Sequence, residues 1–494
     1  MQELFYSLDQ NIAHLKDVFK NCDDIVFREF YANGYRCYMI YTDNIVDGGT
    51  IEEAVLTNLM VRGHSENSIT KLQLNTIGVG EVSEAKDFQT IIDAVLIGDT
   101  ILLGDGENIA VQVSTKGWPS RGVPSAETEV TLLGPKDSFC EQGSLNTVLV
   151  RRRIRDPKLK VRRSKIGRRS KTDIAVLYME DIVRDEILDE TLKRLEKVDV
   201  DAIIDSGYLQ QFIEESFMSP FPQMQLTERP DKTAAAIYEG RIAVIVDNTP
   251  FVILVPATLN VFFQSADDYY ERWQISSFLR FMRFAAAFFA ACIPAMYIAL
   301  VVFHPNLIPT PLALKIAGSR AAVPFPTIIE VLIMELAFEL LREAGIRLPS
   351  PAGGTIGIVG GIIIGQAAVD AGIVGASVVI ISALTGICSF AIPNVAMVNS
   401  IRVVKYLLIV LAACFGLYGF WIGVILVLVH LSSLESFGIP YLFPFCGGSV
   451  NDFTDFKDSL IRLPLIFMRK RPIFANKGQT IRMKKEGKNG NKKS

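Results

Sequence analysis

Four carboxylates stand inside one apolar stretch, and they are the residues with the clearest chemical potential. Thr327 to Gly345 has a helical pattern yet carries Glu330, Glu335, Glu339 and Glu343. Spacings of four put Glu335, Glu339 and Glu343 on one helix face, and Arg342 can pair with Glu339 three residues back. Carboxylates in a spanning helix are costly unless they face water or a partner, so Glu335 and Glu339 are candidates for attracting cations at a pore mouth. The alternative for the same stretch is an amphipathic helix lying at a membrane interface.

A second polar cluster is Glu228, Arg229, Asp231 and Lys232 in Thr227-Glu-Arg-Pro-Asp-Lys232, preceded by Ser219-Pro-Phe-Pro-Gln223. Pro220, Pro222 and Pro230 fix φ and make this a rigid, shaped loop. Such residues could form an acid/base set, but no Ser, His or Cys nucleophile accompanies them, and a surface ion-pair set is the favoured reading. No catalytic residues are assigned. Asp267, Asp268 and Glu271 lack calcium-loop spacing, and the seven cysteines show neither CxxC nor zinc spacing, so no metal and no cofactor is expected.

The third feature is steric. Gly353, Gly357, Gly361 and Gly365 recur every four residues and give one bare helix face, a close-packing seam. Beside it Ile358, Ile362 and Gln366 form a second face. In a symmetric oligomer that face could ring an axis and gate it by dewetting; the plainer reading places Ile358 and Ile362 against lipid.

These features need a membrane frame. A hydrocarbon core of ~30 Å takes about 20 apolar residues as a helix. Phe284 to Phe303, Ile373 to Ile392 and Tyr406 to Val429 meet that length, and with the Gly353 segment they make four expected spans; Thr327 to Glu343 is a further candidate. Four spans put both chain ends on one side, whereas a fifth would put the tail outside. Hence 276–435 is read as an all-α polytopic membrane domain and 436–494 as a cytoplasmic basic tail, disordered from Arg469 onward. The N-terminal half has mixed charge with strand and helix periods and no basic-apolar secretory start, so it is expected in the cytoplasm as two α/β subdomains, 1–150 and 151–275. The basic run 151–171 contains no aromatic residue to stack a base. It is read as a solvated joint rather than a nucleic-acid surface, with lipid headgroups or a partner subunit as the second choice.

Several longer motifs carry a family resemblance: Ser219-Pro-Phe-Pro-Gln, Thr227-Glu-Arg-Pro-Asp-Lys, Ser265-Ala-Asp-Asp-Tyr-Tyr-Glu-Arg-Trp, Glu339-Leu-Leu-Arg-Glu-Ala-Gly-Ile-Arg-Leu-Pro-Ser-Pro and Gly357-Ile-Val-Gly-Gly-Ile-Ile-Ile-Gly-Gln-Ala-Ala-Val. Together they resemble the GerA family, the A subunits of nutrient germinant receptors in spore-forming bacteria. The resemblance runs from about residue 10 to about 465. It implies a subunit of the spore inner membrane that works with a transporter-like B subunit and a lipoprotein C subunit. It also implies a homo-oligomeric ring that conducts cations once nutrient is sensed. The related stage V sporulation protein AF shares the membrane core and is the near alternative. A secondary transporter is the alternative from another class, and it lacks the duplicated halves that design usually shows. No enzyme chemistry and no nucleic-acid partner are expected.

Overall fold

The computed structural model describes residues 2–32, 34–61, 81–117, 124–347, 361, 363–446 and 455–483. The chain forms two compact units. One comprises 1–214, 224–256 and 468–494, and the other 215–223 and 257–467.

The first unit contains two antiparallel sheets built on one plan, which meets the expectation of an α/β N-terminal region. Strands β1 (Ile25–Ala32), β2 (Tyr35–Thr42), β3 (Val82–Ala85), β4 (Thr100–Gly104) and β5 (Ala110–Val113) lie in the order β1-β2-β4-β5-β3. Strands β6 (Leu159–Ile166), β7 (Thr172–Met179), β8 (Gln225–Thr227), β9 (Ile242–Val246) and β10 (Val252–Val255) lie in the order β6-β7-β9-β10-β8. Counted within each sheet, the two orders are the same.

The helices repeat as well. Helix α1 (Leu8–Val18) precedes the first sheet, a helical segment over 50–61 links β2 to β3, and α2 (Phe88–Ile97) links β3 to β4. In the second sheet α3 (Gly143–Arg151) precedes β6. Helices α4 (Asp185–Glu196) and α5 (Ser206–Ile213) link β7 to β8, and α6 (Pro230–Tyr238) links β8 to β9. The N-terminal unit is therefore a structural duplication. Its cores follow from apolar residues at helical spacing: Leu8, Ile12, Leu15, Ile91 and Val95 cover one face of the first sheet, and Ile51, Val55 and Leu59 the other.

A buried ion pair joins the two modules. Arg151 Nη2 and Nε donate to the two carboxylate oxygens of Asp24 at 2.8 and 2.9 Å, with both side chains shielded from solvent. Beside it the chain at 21–23 extends edge strand β6, through Asp23 N–H to Val161 O at 2.9 Å and Val161 N–H to Asn21 O at 3.1 Å.

The tail departs from the expected disorder over 469–483. Ala475 pairs with Val183, Asn476 N–H donates to Ile182 O at 2.7 Å, and Arg471 Nε donates to Tyr238 O at 2.9 Å. Phe474 and Ala475 are buried, and Ala475 joins the core of the second sheet. Two apolar side chains inside a basic segment are enough to dock it.

The second unit is a helical bundle. Helix α7 (Trp273–Ile298) continues through a wider π-helical turn to Phe303. After α8 (Thr310–Ser319) comes α9 (Thr327–Arg347), then α10 (363–370), α11 (Ala376–Phe390) and α12 (Val395–Ser433). Helices α9 and α11 run in parallel: Glu330 meets Gly375 at the start of α11, and Arg342 meets Ser389 at its end. Among the described residues, two helical stretches are long and apolar enough to cross a membrane, 273–303 and 395–433. The run expected over Ile373–Ile392 gives the shorter α11, because Gly375 is extended and caps it from outside.

The single crossing expected over Tyr406–Val429 is instead two antiparallel legs. Gly416 has φ +61° and ψ −137°, a conformation open to glycine alone. A Cβ on Gly423 would lie 2.6 Å from Leu408 Cδ2, and one on Gly419 would lie 2.0 Å from Leu411 O. Fifteen residues of unbroken helix would separate 408 from 423 by about 22 Å, so the chain must fold back at Gly416. The ends agree. Ser400 Oγ donates to Pro220 O while Ser219 Oγ shares a 2.9 Å hydrogen bond with His430 Nε2, so both legs return to one short loop. At the turn, Gly416 packs on Phe303.

Candidate functional site

Helix α9 is inverted relative to a helix of a water-soluble protein. Ile329, Leu332, Leu336 and Leu340 are exposed, while Glu330 and Glu335 are buried at 0% and 2%. The buried face is satisfied by charge. Arg320 Nε donates to Glu330 Oε1 and Gly375 N–H to Glu330 Oε2, both at 2.9 Å. One turn and more along, Lys405 Nζ lies 2.6 Å from Glu335 Oε2 and 3.3 Å from Glu339 Oε1. Glu339 is further flanked by Arg342 Nη1 at 3.4 Å and Arg402 Nε at 3.5 Å, and Arg342 Nη2 donates to Ser389 Oγ at 2.9 Å.

Two carboxylates and three cations thus share one locus between α9, α11 and the outbound leg of α12. Ser382, Thr385 and Ser389 of α11 line the same small cavity. Glu335 Oε1 and Ser382 Oγ are buried there with no hydrogen-bond partner among the described residues. The arrangement does two things: it locks α9 to the hairpin, and it keeps a polar interior within an apolar exterior. Glu335 and Glu339 face Lys405 rather than an open path. Lys405, Arg320 and Ser382 were missed as site residues. Arg320 lies 10 residues from Glu330 and Lys405 70 residues from Glu335, and only tertiary packing reveals the match.

Half of the glycine seam is described. A Cβ on Gly361 would meet the Phe338 ring at 3.3 Å, and one on Gly365 would meet Val379 Cγ1 at 2.9 Å, so both glycines face packed helices of the same chain. Gln366 is exposed and donates to Asp370 Oδ1 at 2.9 Å. Gly353, Gly357, Ile358 and Ile362 lie outside the described residues.

The Thr227–Lys232 motif is a buried clamp rather than a surface ion-pair set. Glu228 Oε1 accepts from Thr128 N–H, Thr128 Oγ1 and Glu129 N–H at 2.6, 2.8 and 2.7 Å. Arg229 is 1% exposed, pairs with Asp231 at 2.9 Å, and donates to Glu129 O, Thr131 Oγ1 and Pro135 O. Lys232 Nζ reaches Glu129 Oε1 at 2.5 Å, and Pro230 opens α6, where its missing N–H costs nothing. The motif therefore fixes segment 128–135.

The prolines at 220 and 222 frame Phe221, which is buried beside His430 and Tyr441. Arg280, near the start of α7, is fully buried. Its Nε donates to Asp268 at 2.8 Å and its Nη1 to Asp458 at 2.6 Å, and Tyr269 OH donates to Asp458 at 2.7 Å.

Much of the basic run is ion-paired within its own unit. Lys158 pairs with Asp181, Arg163 with Asp43, Lys165 with Asp173, and Arg168 with Asp199. The hydrogen-bonding Arg168 guanidinium holds the Asp199 carboxyl below its ordinary range. Among the described residues, no group of three or more His, Cys, Asp or Glu side chains could hold a metal ion.

The family model described as Bacillus/Clostridium GerA spore germination protein matches residues 13–474. Spore germination protein KA of Bacillus subtilis is 40% identical over 97% of this chain and 89% of its own length. Spore germination protein GerLA of Bacillus cereus is 37% identical over 98% of both chains. Among solved structures, the N-terminal domain of the A subunit of the Bacillus megaterium spore germinant receptor GerK3 matches at 31% identity and a TM-score of 0.40, covering 52% of this chain and 98% of that one. The match to the family model and the near full-length relatives lead to one conclusion: this chain belongs to the Bacillus/Clostridium GerA spore germination protein family.

Proposed function

We propose that this chain is the A subunit of a nutrient germinant receptor in the spore inner membrane. Its helical unit spans the bilayer, its N-terminal region is cytoplasmic, and copies of it assemble into a ring that conducts cations when nutrient is sensed. A transporter-like B subunit and a lipoprotein C subunit complete the receptor. The observation that carries the membrane reading is the polarity of α9: it exposes Ile329, Leu332, Leu336 and Leu340 while burying the paired carboxylates Glu330 and Glu335 beside Val331 and Met334. Lipid suits the first and a paired interior the second.

In this reading the legs of the bundle cross the membrane, and an even number of legs returns the chain to its starting side. Ile358, Ile362 and Gln366 line the pore, the glycine seam from Gly353 to Gly365 sets helix spacing, and Glu335 and Glu339 raise the local cation concentration once Lys405 is drawn away. The test is ion flux from vesicles carrying the A, B and C subunits together. Nutrient-dependent release of potassium that is lost when this chain is omitted is the expected result; release that persists without it refutes the proposal.

A further inference from the structure

The loop that receives both ends of the α12 hairpin also carries the most exposed pair of apolar neighbours among the described residues of its unit. Phe217 is 84% exposed and Met218 82%. This exposure belongs to a held loop. Gln223 Oε1 accepts from Glu215 N–H at 3.1 Å and Ser216 N–H at 3.0 Å, and Gln223 Nε2 donates back to Ser216 O at 2.9 Å. Ser436 Oγ donates to Gln223 O at 2.7 Å, and Phe437 N–H donates to Glu215 at 2.8 Å, so the loop is tied to the chain just after the last leg. Five anchoring hydrogen bonds hold two large apolar side chains out from the surface.

The position of the loop selects its partner. Ser219 bonds His430, in the last turn of the return leg. Just before His430, the leg exposes Ile425, Leu426, Leu428 and Val429; just after it, the exposed residues are Ser432 and Ser433. The exposed apolar surface of the return leg therefore ends at His430, and the loop stands at that boundary. Apolar side chains at the margin of an apolar belt leave water most readily by entering the headgroup and upper acyl region beside it.

We propose that Phe217 and Met218 form a lipid-interface anchor that fixes the depth of the helical unit in the bilayer. The inference rests on the membrane reading above, and the experiment separates the two. The full chain is reconstituted in vesicles of phosphatidylethanolamine and phosphatidylglycerol, with p-benzoylphenylalanine replacing Phe217, Ile425 or Glu53 in separate preparations. After irradiation, adducts are identified by mass. The expected result is lipid adduct at 217 and 425, each several-fold above the exposed, water-facing control at 53. Lipid adduct at 425 with only protein adduct, or none, at 217 overturns the anchor and leaves the membrane reading standing. Absence of lipid adduct at both positions overturns the membrane reading and the anchor with it. As a second arm, Phe217→Ser with Met218→Ser removes apolar surface without touching the Gln223 bonds. It is expected to shift the depth of the helical unit, read as a changed quenching of tryptophan fluorescence by depth-graded brominated lipids, and unchanged quenching counts against the anchor.

Discussion

Lys405 Nζ stands 2.6 Å from Glu335 Oε2 with both side chains buried, 70 residues apart in sequence and on two different helices of the bundle. Removing one member of a buried pair leaves the other charge uncompensated, at a cost of about 3–5 kcal/mol. Lys405→Met alone and Glu335→Met alone should each lower the thermal unfolding temperature of detergent-purified protein sharply. The double replacement should recover most of the loss, because Glu339 keeps Arg342 and Arg402. Additive losses in the double variant would show that the two side chains do not act as a pair.

Gly240 should be required for tail docking. It has φ +93°, and a Cβ there would lie 2.7 Å from Phe474 O and 2.8 Å from the Ala475 Cα. Gly240→Ala should release residues 468–483 to proteolysis while the rest of the N-terminal unit stays resistant. Unchanged cleavage of the tail would remove Gly240 from the docking site.

Cys22 reports on the joint between the two duplicated modules. Burial pushes its thiol above the ordinary range, opposed by the Arg151 guanidinium nearby, and its Sγ lies 3.5 Å from Leu159 O. A raised thiol carries little thiolate at pH 8, and burial blocks access as well, so alkylation should be slow in the native protein. Arg151→Ala leaves Asp24 buried and unpaired, which should open the joint and speed Cys22 alkylation by more than tenfold. Equal rates in the two proteins would show that the pair does not hold the modules together.

The pore reading makes its own demand on Ile362. Trimming Ile362 to Ala widens and wets an apolar ring, so spores carrying the variant should leak cations and lose dormancy. If Ile362 faces lipid instead, Ile362→Ala spores with normal protein levels will germinate as before, and the residue leaves the gate.

Local pattern made some of this architecture legible and left the rest hidden for identifiable reasons. The four-residue spacing of Glu335 and Glu339 placed them on one face, but spacing within α9 carries no information about Lys405 in another helix. Most of the charges at 151–171 are solvated, as expected, but their acidic partners Asp43, Asp181 and Asp199 are scattered along the chain and spacing does not reveal them. Basic composition hid the tail, where Phe474 and Ala475 outweigh the surrounding lysines and arginines in deciding whether the segment docks. The duplication of the N-terminal sheets is a matter of strand order, which no residue spacing encodes. The hairpin was half visible. Gly416, Gly419 and Gly423 interrupt the last apolar run, yet an all-apolar run has no periodicity that distinguishes one long helix from two short ones.

The hairpin also gives the sharpest topological test. As one straight helix, 395–433 would extend about 58 Å, nearly twice the ~30 Å hydrocarbon core, and its ends would emerge on opposite sides. Folded at Gly416, it returns Asn394 and Ser433 to the same side, because the 219–220 loop touches both Ser400 and His430. Asn394→Cys and Ser433→Cys, each in an otherwise cysteine-free chain, should therefore react with an impermeant maleimide from the same face of sealed vesicles. Gly419→Ala should prevent the legs from closing, since its Cβ would fall 2.0 Å from Leu411 O on the opposite leg, a distance no side-chain adjustment can relieve. That variant should accumulate poorly or unfold at much lower temperature, whereas alanine at Gly386, where nothing lies within 4 Å of the added carbon, should be tolerated. Labelling of positions 394 and 433 from opposite faces would mean that the chain does not turn at Gly416.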